Sequence, residues 1–130
     1  MAVEPDERQL QEVAAIAASG EGGPVVMLNL NRYRDREAYM RYGIVAAEVI
    51  ARVGGEIAWH STPRGIVIGE ERDTWDEVIA VWYPSYAAFL ALVNDPELQR
   101  VREHRLAGLE RAAVVCCPAG TGPWSGRATQ

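Results

Sequence analysis

The sequence predicts an α+β fold in which a four-stranded antiparallel sheet carries helices on one face. Three observations predict it. Short β-rich runs and segments of helical period alternate in the order β–α–β–(β)–β–α–α–β. A length of 130 residues suits one core and not two. Met27, Trp59, Trp82 and other large residues occur on both strand parities, so neither face of the sheet can be wholly polar.

Each element has its own signal. Glu4 to Ser19 can form a helix with a weak stripe of Leu10, Val13, Ala14 and Ala17, and Gly20 to Pro24 breaks it. Residues 1–23 therefore read as a helical extension with a Gly-rich joint, 24–117 as the folded domain and 118–130 as a loose tail. Val25 to Leu30 is β-rich and follows a proline. Asp35 is a good N-cap for a helix to about Val53, whose stripe is Tyr39, Tyr42, Ala46, Val49, Ile50 and Val53. Glu37–Arg41 and Glu48–Arg52 are spaced as ion pairs on its wet face, and Gly54-Gly55 ends it. Glu56 to Thr62 and Ile66 to Ile68, separated by Pro63-Arg64-Gly65, predict a hairpin. Trp75 to Tyr83 is the longest strand candidate. Pro84-Ser85 opens a helix bearing Tyr86, Phe89, Leu90 and Val93, and Asp95-Pro96 starts another that runs to about Glu110. Ala112 to Cys117 is a final apolar strand. This order describes a split βαβ, or ferredoxin-like, sandwich. Covering the helix-free face with a second copy of the chain predicts a homodimer.

Composition narrows the chemistry. The 18 acids stand against 13 bases, all arginine, for a net charge of −5. Without a basic cluster, no nucleic acid is expected as partner. Without lysine, Schiff-base and P-loop chemistry are excluded. No apolar run reaches the ~18 residues of a membrane span, and the acidic start does not suit a targeting peptide, so a cytoplasmic location is expected. Cys116 and Cys117 are adjacent and would face opposite sides of a strand, and with only two histidines no metal site is expected. The acidity is uneven: residues 1–23 hold five acids and one arginine, whereas 24–130 hold 13 acids and 12 arginines.

The ordered set Val25-Val26-Met27-Leu28-Asn29-Leu30, Tyr39…Tyr42, Val53-Gly54-Gly55, Trp75-Asp76-Glu77-Val78, Tyr83-Pro84-Ser85…Phe89 and Asp95-Pro96-Glu97…Gln99 resembles the DUF1330 family. The resemblance spans roughly residues 24–117 and implies the dimeric α/β-barrel superfamily. That superfamily includes cofactor-free monooxygenases, isomerases, cyclases, haem-using peroxidases and plain ligand binders. Fold analogy alone does not choose among them.

The candidate site residues are polar groups where the pattern expects apolar ones. His104 is a candidate for proton transfer at the edge of the stripe formed by Leu98, Val101 and Leu109; its alternative is a half-exposed surface histidine beside Glu103 and Arg100. Arg105 falls within that stripe, where a guanidinium must be paired or line a wet cavity; it would hold a ligand oxyanion or pair with Glu77 or Asp76. His60 is a rival base on a strand where it and Trp59 face opposite ways. Asn29 interrupts an apolar strand and can orient a ligand, with Met27 on the same surface. Tyr42, Trp59 and Trp82 complete the expected walls of a pocket for a small hydrophobic organic ligand, although packing is the first role of such aromatics. The expected activity is cofactor-free acid/base chemistry giving isomerisation, cyclisation or elimination. The alternatives are a non-catalytic binding dimer and a cofactor-independent monooxygenase.

Overall fold

The computed structural model describes residues 3–20 and 23–119. Asp6 opens the first helix, α1 (Glu7–Ser19), with a capping box: its carboxylate accepts from the Gln9 backbone at 2.8 Å while Gln9 returns a bond to the Asp6 N–H at 3.0 Å. Strand β1 (Val25–Tyr33) follows, and then α2 (Arg36–Arg52), N-capped by the Asp35 side chain. Gly54, at φ +87°, takes the left-handed conformation that stops α2 before β2 (Glu56–Ser61). A 3-10 turn at Glu71–Asp73 precedes β3 (Glu77–Tyr83), and α3 (Tyr86–Val93), α4 (Pro96–Arg100), α5 (Arg102–Gly108) and β4 (Leu109–Pro118) complete the chain.

The strands form one antiparallel sheet in the order β2-β3-β1-β4. The expected α+β sandwich is the observed one, and the order is that of a ferredoxin-like split βαβ. Residues 25, 27, 29 and 31 of β1 pair with 83, 81, 79 and 77 of β3. This parity faces the helices: Val25, Met27, Val81 and Tyr83 join Val49, Tyr86, Leu92 and Leu98 in the core cluster. Val13 and Ala17 of α1 pack against the same cluster, so the N-terminal helix shares the main core.

The opposite parity carries Val26, Leu28 and Leu30 of β1, Val78, Ala80 and Trp82 of β3, Ala113 and Val115 of β4, and Trp59 of β2. No helix among the described residues covers this face. Trp59 and Val115 are about half exposed there, at 52% and 47%.

Several local expectations need correction. Ile66–Ile68 form no strand, because the segment finds no ladder partner; Val67 and Ile68 are 99% and 94% exposed. The long strand begins at Glu77, two residues after Trp75. The helix expected over 96–110 breaks at Val101 into α4 and α5, and Leu109 is buried as the first residue of β4. Neither ion pair expected along α2 is closed. Arg52 instead reaches across to Asp95 at 3.5 Å and Glu97 at 2.9 Å, tying α2 to α4. Cys116 and Cys117 are free thiols on opposite faces of β4. The expected tail lies almost wholly outside the described residues.

Candidate functional site

Polar groups gather at one end of the sheet, where β1 finishes and β3 and β4 begin. On the helix side Asn31 is 2% exposed and is the sole buried polar residue among those described. Its amide donates to the Tyr39 hydroxyl at 3.0 Å and to Glu77 Oε1 at 2.9 Å, which uses both of its N–H groups. Asn31 and Glu77 are register partners on neighbouring strands, so the sheet itself brings the pair together.

A column of aromatic rings leads away from this carboxylate. The Tyr33 and Tyr39 centroids lie 5.4 Å apart, those of Tyr39 and Tyr42 5.9 Å, and the Arg105 guanidinium sits 5.9 Å from the Tyr42 centroid. Tyr39 and Tyr42 share a face because they are three residues apart on α2. Arg105 projects from α5, and its guanidinium also donates to the Val3 carbonyl, which brings the start of the described chain onto the site. Beside it, Arg102 holds the Glu4 carboxylate at 2.6 Å, and that hydrogen bond draws the Glu4 carboxyl below its usual range.

The approach of α5 to α2 needs a glycine. A Cβ on Gly108 would lie 2.5 Å from the Tyr39 backbone nitrogen, closer than any side chain tolerates. The Gly108 carbonyl also accepts from the Arg34 and Asp35 N–H groups at 2.7 and 3.1 Å. Tyr39 is thereby fixed from two directions.

The electrostatics keep these phenols protonated. Burial first, and then the negative charge of Glu77, raise the Tyr33 and Tyr39 hydroxyls well above the ordinary tyrosine range. Burial also raises Tyr42, with the Arg105 charge opposing it. Near neutral pH the tyrosines are therefore hydrogen-bond donors, and Glu77 is the carboxylate among them. Glu77 and Tyr33 are partly exposed while Asn31 and Tyr39 are buried, so the cluster has a wet end and a dry end.

The open side of the same strand ends carries a second group. Arg32 and Arg111 are register partners, and Thr74 binds both: its hydroxyl accepts from Arg32 and its carbonyl from Arg111 at 2.5 Å. An open cavity of about 500 Å³ is lined by Arg32, Arg111, Glu110 and the turn residues Glu71 and Arg72.

The expected site residues are divided by the sheet. Met27 is buried in the core, and Asn29 spends its amide on the Met27 carbonyl at 3.0 Å; both face the helices. Tyr42 lies on that side too, whereas Trp59 and Trp82 lie on the open face, so no single pocket gathers the set. Arg105 adjoins the tyrosine column, and its expected pairing with Glu77 or Asp76 is not formed. His104 precedes it on α5 and is partly buried, while His60 is exposed on the edge strand β2, opposite Ile79. Asn31, Tyr33, Tyr39 and Glu77 were not expected in the site. The signal for Asn31 is its parity with Asn29 on a strand that runs three residues past Leu30, to Tyr33. Among the described residues, no group of three or more His, Cys, Asp or Glu side chains could hold a metal ion. No helix among them is long and apolar enough to cross a membrane.

This is a ferredoxin-like α+β protein with a polar cluster at one end of its sheet. The chain belongs to the family described as Domain of unknown function (DUF1330), which it matches over residues 25–117. A protein of unknown function from Rhodopseudomonas palustris is 29% identical, with a TM-score of 0.82 over 92% of this chain and 98% of its own. A hydroxynitrile lyase from Passiflora edulis shares the fold at 16% identity and a TM-score of 0.59, covering 78% of this chain and 98% of its own. A dimeric ferredoxin-like protein of unknown function from Jannaschia shares it at 14% identity and a TM-score of 0.54, covering 72% and 97%. No curated protein matches the chain.

Proposed function

We propose that this protein is a homodimeric enzyme that moves a proton on a small, hydrophobic, oxygenated organic molecule using only its own side chains. The observation that carries the reading is the Glu77 carboxylate held by the buried Asn31 amide at 2.9 Å, beside phenols that stay protonated. A fixed carboxylate next to fixed donors is the arrangement that proton abstraction beside a carbonyl requires.

In this reading Glu77 takes a proton from carbon or from a hydroxyl at the wet end of the cluster. The electron pair moves onto the substrate oxygen, or expels a leaving group, and the Tyr33 hydroxyl donates to the oxygen that gains charge. Asn31 holds the carboxylate in place, and Arg105 sets a positive charge at the far end of the tyrosine column while the negative charge passes from Glu77 to the substrate. Isomerisation, cyclisation and elimination all begin with this step. His104, next to Arg105 in sequence, is the alternative proton carrier. That proteins of this fold include a lyase supports a catalytic role.

The dimer rests on the uncovered sheet face. Val26, Leu28, Leu30, Val78, Trp82 and Val115 form an apolar surface that water does not favour, and a second copy supplies matching cover. The dimeric relative supports this.

The reaction class is tested by incubating the protein in D2O with a panel of aryl and alkyl ketones, keto acids and cyanohydrins and following the acidic C–H signals by NMR. The reading expects enzyme-dependent loss of signal from at least one member. A panel in which none exchanges or is cleaved contradicts it.

A further inference from the structure

We infer that the Arg32–Arg111 cavity on the open side of the sheet is a second binding site, built for the carboxylate of a small organic acid. It lies across the sheet from Glu77 and does not depend on the catalytic reading. Two like charges placed directly opposite each other on one sheet face repel. Here Thr74 nonetheless holds both guanidiniums, one by its hydroxyl and one by its carbonyl. The carboxylates present leave the pair incompletely matched. Arg32 has Glu110 at 3.3 Å, and Arg72 has Glu70 at 3.1 Å. Arg111 has no carboxylate within 4 Å among the described residues, and its Nε is closed off from solvent with no acceptor. A partly buried guanidinium without a counter-ion is costly, and it attracts an anion.

The guanidinium fork suits an oxyanion. The Arg111 guanidinium sits 4.2 Å from the Trp75 ring centroid, a cation–π contact that anchors it at the cavity wall. A carboxylate matches such a fork with two parallel hydrogen bonds, as a phosphate also can. The cavity of about 500 Å³ is larger than the carboxylate alone, leaving space for the body of a small acid. Glu71 and Glu110 on its wall disfavour ligands of high negative charge, so a monocarboxylate is preferred to phosphate.

The test is an NMR titration of the full-length protein with benzoate, acetate and inorganic phosphate, following the arginine Nε–H and tryptophan indole signals. Benzoate is expected to give saturable shifts at Arg111 and Trp75. Arg111→Gln and Arg32→Gln are each expected to weaken its apparent Kd at least tenfold, and phosphate to bind more weakly. The two variants keep the test open if one of them fails to fold. Absence of saturable shifts overturns the inference, as does an unchanged Kd in a folded variant or phosphate binding in preference to benzoate. Sedimentation in parallel separates a ligand from a partner's acid: Arg111→Gln dissociating the dimer while leaving benzoate affinity unchanged also overturns it.

Discussion

Asn31 divides its amide between the Tyr39 hydroxyl, 3.0 Å away, and Glu77 Oε1, 2.9 Å away. One buried side chain thus links β1 to α2 and to β3, and sets the position of the carboxylate given the catalytic role. Asn31→Leu removes both bonds and leaves the buried Tyr39 hydroxyl without its donor. It is expected to cost about 2–3 kcal/mol in urea-unfolding stability. A variant within about 0.5 kcal/mol of the parent would show that the bonds carry little.

Gly108 faces a steric demand. A methyl group there meets the Tyr39 backbone, so Gly108→Ala must push α5 off α2. A loss of about 1–3 kcal/mol is expected, with Gly108→Ser at least as damaging. Thermal unfolding monitored by circular dichroism measures both.

All five tyrosines have hydroxyls raised above the ordinary value, with burial the leading cause at Tyr33, Tyr39, Tyr42 and Tyr83 and a hydrogen bond with Cys116 at Tyr86. For a group whose folded pKa is raised, the stabilisation is complete below the unfolded pKa. It is lost as pH climbs above that value, because the unfolded chain releases a proton that the fold retains. Stability is therefore expected to be flat in these groups to about pH 9 and to fall above about pH 10. Each of the buried Tyr39 and Tyr83 contributes up to about 1.4 kcal/mol per pH unit, and the partly buried Tyr42 less. Phenolate absorbance near 295 nm should appear together with loss of circular dichroism. Full ionisation of all five in a still-folded protein would contradict the burial argument.

The open sheet face gives a prediction about assembly. Trp82→Glu or Val115→Glu places a charge within the surface assigned to the second copy. Sedimentation velocity is expected to show a dimer for the parent and a monomer for either variant at micromolar concentration. A parent that sediments as a monomer would remove the dimer from the account.

The main architecture was legible because it rests on period and punctuation. Asp35 with Gly54, and Asp95 with Pro96, bounded helix starts and stops by local chemistry, and β1 was apolar enough to read directly. Local signals failed where the outcome depended on distant partners. Ile66–Ile68 has strand-like residues, yet a strand needs a ladder, and none reaches it. Arg52 has Glu48 at helical spacing, yet it pairs with Asp95 and Glu97 at the start of α4, which only the fold brings near.

The site was less legible for the same reason. Arg105 stood out because a charge interrupted an apolar stripe, and it does lie against Tyr42. Asn31, Glu77 and Tyr33 look ordinary in sequence, being polar residues at the ends of strands. Their relationship appears only when the β1–β3 register sets Asn31 opposite Glu77.

The role of Glu77 as base is read from the exchange rate of Glu77→Gln on whichever panel compound the parent protein turns over. The substitution keeps the size and an oxygen that accepts from Asn31 but removes the base. A loss of about 10²–10⁴-fold in exchange rate is expected, with a melting temperature close to that of the parent. A folded Glu77→Gln protein that exchanges within twofold of the parent would contradict it, and loss of exchange on His104→Gln instead would move the proton to that residue.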